Sequence, residues 1–177
     1  MSLTDPIFFD TDCLSAFLWV KNQSLLAQLY PGRVVIPGEV YAELSGPTVP
    51  HLKARIDAMI NSNDARVESI VAGTQEYALY RRLVSKSDPN HIGNGEAAAI
   101  AMAKERGGII ASNNLKDISR YVSEYGLLHM TTGQILKEAL ERGLITENVG
   151  NQLWQGMLNK RRKLGYASFS DFLKDKK

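Results

Sequence analysis

The sequence predicts an α/β fold built on a mostly parallel sheet, and three observations predict it. Short apolar runs alternate with segments of helical period, the pattern of βα units, because a parallel neighbour strand is reached only through a crossover. The runs close on Asp10, on Pro37-Gly38 or on Ser112-Asn113-Asn114, residues that stop a strand and start a helix. The chain of 177 residues, 44% hydrophobic and 23% charged, has globular proportions and is long enough to bury a core.

The first strand is Ile7-Phe8-Phe9, followed by a helix over residues 14–20 that Thr11 or Asp12 would cap. The second, Val34-Val35-Ile36, leads through Pro37-Gly38 into a helix over residues 40–44. A helix over 52–60 precedes a third strand over 66–71, and residues 77–84 return to helical period. Pro89, Gly93 and Gly95 make residues 87–95 a loop. From Glu96 to Lys104 the run is rich in alanine, which loses little entropy in a helix, and Gly107-Gly108 stops it. Residues 108–111 form the fourth strand, and Asn113 or Asn114 caps a helix through Tyr125. Residues 127–130 complete a five-strand alternation, and Thr131 or Thr132 caps a helix over 134–142. The remainder is helical in pattern over 147–164 and 169–173, with no proline or low-complexity linker before it. Residues 1–143 are therefore expected to form the main domain, and residues 144–177 a helical extension packed on it.

Composition excludes several chemistries. Cys13 is the only cysteine, so an intramolecular disulfide is impossible and a cysteine-based zinc site lacks partners, which favours a reducing compartment. No stretch approaches the ~20 apolar residues that span a bilayer, and the first residues lack a basic segment followed by a long apolar run. A cytoplasmic protein with no membrane partner is expected. The net charge of +2 does not advertise a polyanion partner, although Lys160, Arg161, Arg162 and Lys163 form one basic cluster. No phosphate-binding glycine motif follows the first strand, which speaks against a dinucleotide enzyme.

In an open parallel sheet, ligands sit beyond the carboxyl ends of the strands, where strand order reverses. Acids at those ends are the candidates. A carboxylate at Asp10, beside Ile7-Phe8-Phe9, is costly to bury unless a cation or donors meet it. Asp12 is equally well explained as a helix cap. Glu39 and Glu43 lie four residues apart on one helix, where only one need face a cleft and both are ordinary as charges near a helix start. Glu96 opens a helix of small and apolar residues that reads as pressed into the interior. Asn114 reads equally as a cap and Asp117 as surface charge, while Ser112 and the asparagines offer oxygens to a metal-bound water. Crowded carboxylates repel one another unless a cation neutralises them, and an oxygen-only set suits Mg²⁺ or Mn²⁺, which keep waters and bridge to phosphate. His51, His91 and His129 follow no ligand spacing.

Four motifs stand in order, each beside the element expected of it: Phe8-Phe9-Asp10-Thr11-Asp12, Ile36-Pro37-Gly38-Glu39-Val40-Tyr41-Ala42-Glu43-Leu44, Gly95-Glu96-Ala97-Ala98-Ala99-Ile100-Ala101 and Ala111-Ser112-Asn113-Asn114-Leu115-Lys116-Asp117. Through them residues 7–130 resemble the PIN-domain family. The resemblance implies a three-layer α/β/α fold that binds Mg²⁺ or Mn²⁺ and cuts RNA phosphodiesters, often as the VapC-like toxin half of a toxin–antitoxin pair. An antitoxin protein and a second copy of the chain are the protein partners it brings with it. Asp10 matches the family's first acid, Glu43 the second and Glu96 the third; the fourth, usually Asp, falls on Asn114, for which Asp117 or Asp12 could compensate. On this resemblance Asp10, Glu43, Glu96 and Asn114 are the catalytic set, and Asp10, Glu96, Asn114 and Asp117 hold the metal. Ser112, Asn113, Lys116 and Arg120 meet the RNA, with the Lys160 to Lys163 cluster as a further candidate whose plainer explanation is a solvated helix face. The tail after Gly143 is longer than in compact toxin members. Two rivals remain open. A PIN-fold nucleic-acid binder with weak or no catalysis is recommended by Asn114. A haloacid-dehalogenase-type phosphatase is imitated by Asp10-Thr11-Asp12, but it leaves Glu43 and Glu96 idle and needs a later lysine and acidic pair.

Overall fold

A computed structural model describes residues 4–175. Its strands are short and rich in β-branched and aromatic residues: β1 (Ile7–Phe9), β2 (Val34–Pro37), β3 (Arg66–Glu68), β4 (Ile109–Ala111) and β5 (Leu128–Met130). All pairings are parallel, in the order β3-β2-β1-β4-β5. The chain winds outward from β1 to β3, then returns to place β4 on the other side of β1. Strand order thus reverses between β1 and β4, which opens a crevice at their carboxyl ends.

Successive side chains of the central strands point to opposite faces, and two cores result. Ile7, Phe9, Val34 and Ile36 pack with helices α1 (Thr11–Trp19), α2 (Ser24–Leu29), α3 (Gly38–Leu44) and α4 (Pro50–Asn61). Phe8, Val35 and Ile110 pack with α5 (Gln75–Leu83), α6 (Asn94–Arg106) and α7 (Leu115–Tyr125). The fold is therefore three-layered, α/β/α. Helices α8 (Thr132–Glu141), α9 (Glu147–Asn159) and α10 (Phe169–Lys174) return to the first face. Trp154, Met157 and Phe169 are buried in the same core as α1. Small residues let this tail approach closely: a Cβ at Gly150 would stand 2.3 Å from Phe169, and one at Gly133 2.7 Å from Phe172. Among the described residues no helix is long and apolar enough to cross a membrane.

Several expected boundaries move, each for a local reason. Helix α1 begins at Thr11 and its cap is Asp10, because β1 passes into the helix without an intervening loop. Helix α2 was not expected; six residues are too few to display a helical period, and burial of Leu25, Leu26 and Leu29 holds it in place. Strand β3 stops at Glu68 and not at residue 71, since its partner β2 ends opposite it at Pro37 and turns into α3. Thr131, with Gln134, forms the capping box of α8. Helix α9 ends at Asn159, where residue 164 was expected: Arg161 adopts a positive φ of 59°, so the basic cluster is a turn and not a helix face.

Candidate active site

The crevice is built first by Asp10. Its backbone N–H donates to Ala111 O at 2.9 Å, which holds the ends of β1 and β4 together. Its carboxylate Oδ1 accepts the Cys13 N–H at 2.7 Å as the α1 cap. Oδ2 is buried and has no hydrogen-bond partner. Burial pushes this carboxyl up to about 7; the nearby Ser112 hydroxyl and the Cys13 amide pull it partly back, and the charges of Asp12 and Glu96 raise it further.

Glu96 reaches the crevice from the tip of α6. Its Oε1 accepts the Asn114 side-chain amide at 2.6 Å and its Oε2 the Gly93 N–H at 3.3 Å. Burial raises its carboxyl above the ordinary value, the two amides oppose this, and Asp117 and Asp12 add repulsion. The same Asn114 amide donates to Asp117 Oδ2 at 2.7 Å. A neutral side chain therefore stands between two carboxylates at the position where the family's fourth acid was expected. Ser112, fully buried, accepts the Asn114 N–H at 3.2 Å.

Glu43 fastens the helix tips around these acids. Its Oε1 accepts the Gly95 N–H at 3.1 Å and its Oε2 the Thr11 hydroxyl, so α3 is tied to the residues beside both Asp10 and Glu96. The approach requires glycine: a Cβ at Gly95 would stand 2.4 Å from Thr11 Oγ1 and 3.1 Å from Val40. Glu39 does not share this position; its Oε2 is buried without a partner, and its charge acts on Tyr80 of α5. Asn113 locks the other side, its amide donating to Thr132 Oγ1 and its carbonyl accepting the Thr132 N–H, each at 2.9 Å.

Opposite Asp12 and Glu96 stands the basic turn, while the fully buried Asp10 does not line the cavity between them. A cavity of about 320 Å³ is lined by Asp12, Glu96, Asn113 and Asn114 on one side and Arg161, Arg162 and Lys163 on the other. Arg162 Nη1 lies 2.9 Å from Asp12 Oδ1 and 3.0 Å from Ser15 Oγ. Sequence reasoning had favoured a solvated helix face here; the only signal against it was Gly165, downstream of the cluster. Lys116 and Arg120 are exposed on α7 and do not line the cavity; Arg120 lies 3.9 Å from Glu124. The histidines are spent elsewhere: His129 Nε2 bonds Ser112 O at 2.9 Å, His91 Nδ1 bonds Asp88 O at 2.9 Å, and His51 packs on Trp19.

Among the described residues no group of three or more His, Cys, Asp or Glu side chains is close enough to hold a metal ion unaided. The donors nonetheless fit a hard cation. Asp10 Oδ2 is a buried oxygen without a close partner in the field of Asp12 and Glu96, with the Ser112 hydroxyl nearby, and the Glu96, Asn114 and Asp117 side chains offer further oxygens.

A family model described as a PIN domain matches residues 6–175. No curated protein and no solved structure matches significantly. The family match extends well past the four motifs and through both C-terminal helices, so the tail lies within the matched region: the chain belongs to the PIN-domain family, whose fold is that of nucleases.

Proposed function

We propose that this protein is a Mg²⁺- or Mn²⁺-dependent endoribonuclease that hydrolyses RNA phosphodiesters in the crevice beyond β1 and β4. The observation that carries the proposal is Asp10: a fully buried carboxylate with one unpartnered oxygen is unfavourable until a proton or a cation neutralises it, and a cation is the partner that the surrounding acids favour. Asp10 and Glu96 hold that cation, with Asn114 and Asp117 contributing at its edge. The chemistry such a cation supplies when bound is a more acidic water and neutralised phosphate charge. Glu43 positions the acids by tying α3 to Thr11 and Gly95. Arg161, Arg162 and Lys163 meet the RNA backbone, the guanidinium planes by paired hydrogen bonds to phosphate oxygens. The resemblance to toxin members of the family supports, as a role, that of a toxin restrained by an antitoxin protein, and a homodimer as its assembly.

Purified protein is expected to cleave single-stranded RNA with Mn²⁺ or Mg²⁺, and to lose this with EDTA or in Asp10→Asn. Cleavage that survives either treatment overturns the proposal. A second reading, a nucleic-acid binder with little catalysis, is favoured by the neutral Asn114 between Glu96 and Asp117. RNA binding without cleavage at saturating Mn²⁺ would decide for it.

A further inference from the structure

A second cavity, of about 360 Å³, opens beside the acidic one, between the start of α7, α8 and the tail. The two share Asn113 and Lys163 in their walls, so they are neighbours across these side chains. The second differs in chemistry. Its walls include Tyr166, Phe172 and the half-exposed Leu115, with Asn113, Gln134, Lys137 and Lys163. Its acid among the described residues, Asp175, is engaged by the Tyr166 hydroxyl. Lys163 forms no ion pair with any described residue and stands at the junction, where a backbone phosphate would pass from one compartment to the other.

We propose that this compartment is a nucleobase subsite, taking the base of the nucleotide next to the phosphate held between the acids and the basic turn. The inference rests on the endoribonuclease reading and names its substrate more closely: single-stranded RNA with one base unstacked. A paired base could not leave its stack to enter, whereas a splayed base gains ring contacts and edge hydrogen bonds. Aromatic walls, an amide donor, and two lysines against a single aspartate that the Tyr166 hydroxyl holds suit a nucleotide better than a basic or purely apolar peptide segment. Tyr166 supplies the ring surface, and the Gln134 side-chain N–H group, whose oxygen is held by the Thr131 N–H, supplies a polar edge.

The test is binding in EDTA, where no cleavage occurs, of a fluorescent hexaribonucleotide and of the same strand with its central nucleotides made abasic. The base-bearing strand is expected to bind at least about fivefold tighter, the low end of one aromatic stacking contact. Tyr166→Ala is expected to erase that difference and Tyr166→Phe to keep it. As a control on folding, Leu115→Cys modified with a bulky maleimide blocks the same space; the native Cys13 is fully buried, so labelling is directed to position 115. The labelled protein is expected to bind both strands alike, at the affinity of the abasic one. Equal binding of both strands by the unaltered protein, or a base preference that survives labelling, overturns the subsite and leaves the compartment to a peptide side chain. Failed cleavage with an intact base preference removes the nuclease reading alone; cleavage without base preference removes the subsite alone.

Discussion

At Asp10 the folded chain keeps a proton that the unfolded chain releases. A solvated aspartate titrates near ~3.9, whereas burial holds this one at about 7. Between those values the native state binds more protons than the unfolded state, so stability falls as pH rises from about 4 to about 7, and the penalty is complete above that range. Asp10→Asn removes the titration. In metal-free buffer the variant is expected to melt above the parent protein at pH 8, with the advantage gone near pH 4; parallel melting curves across this range would refute the burial argument. The positions of Asp10 and Glu96 were legible in the sequence because the first ends a recognisable apolar run and the second opens one. The link from Glu43 to Thr11 was not, because it spans 32 positions and depends on a crossover that no local pattern encodes.

Among the elements, the tip of α6 is the most constrained. Gly95 lets it press against α1 and α3, and Glu43 holds all three together. Gly95→Ala would force Thr11 and Val40 to shift, at a cost of about 1–3 kcal/mol in chemical denaturation. Cleavage is expected to fall with it, because Glu96 follows directly. An unchanged midpoint and rate would show that the three tips have room to spare. Strands and long helices followed from periodicity, and α8 from its capping box. What escaped was α2, too short to show a period, and the turn after α9. Lysine and arginine are good helix formers, so a run of them continues a helical reading until tertiary contact stops it. Here Arg162 turns back to Asp12.

For the whole molecule, the tail is structural before it is functional. Trp154 is 1% exposed, packs against Phe169 and Phe172, and donates to Tyr166 O at 3.1 Å. Trp154→Ala is expected to cost about 3–5 kcal/mol by urea unfolding. A fragment ending at residue 143, the boundary drawn from sequence, is expected to lack a cooperative transition, because the faces of α1 and α8 that α9 and α10 cover would be bare; a sharp transition would instead establish it as a unit. The three-layer plan was readable from the alternation of runs, but the opposite wall of the crevice was not, since Asp12 and Arg162 meet across 150 positions. That separation sets an order of events during synthesis. As the polypeptide emerges from the ribosome, the acids come out early and stay without their cationic counterpart until Arg162 has cleared the exit tunnel. A product released before that point would carry half a groove, because the acidic and basic walls are encoded 150 positions apart.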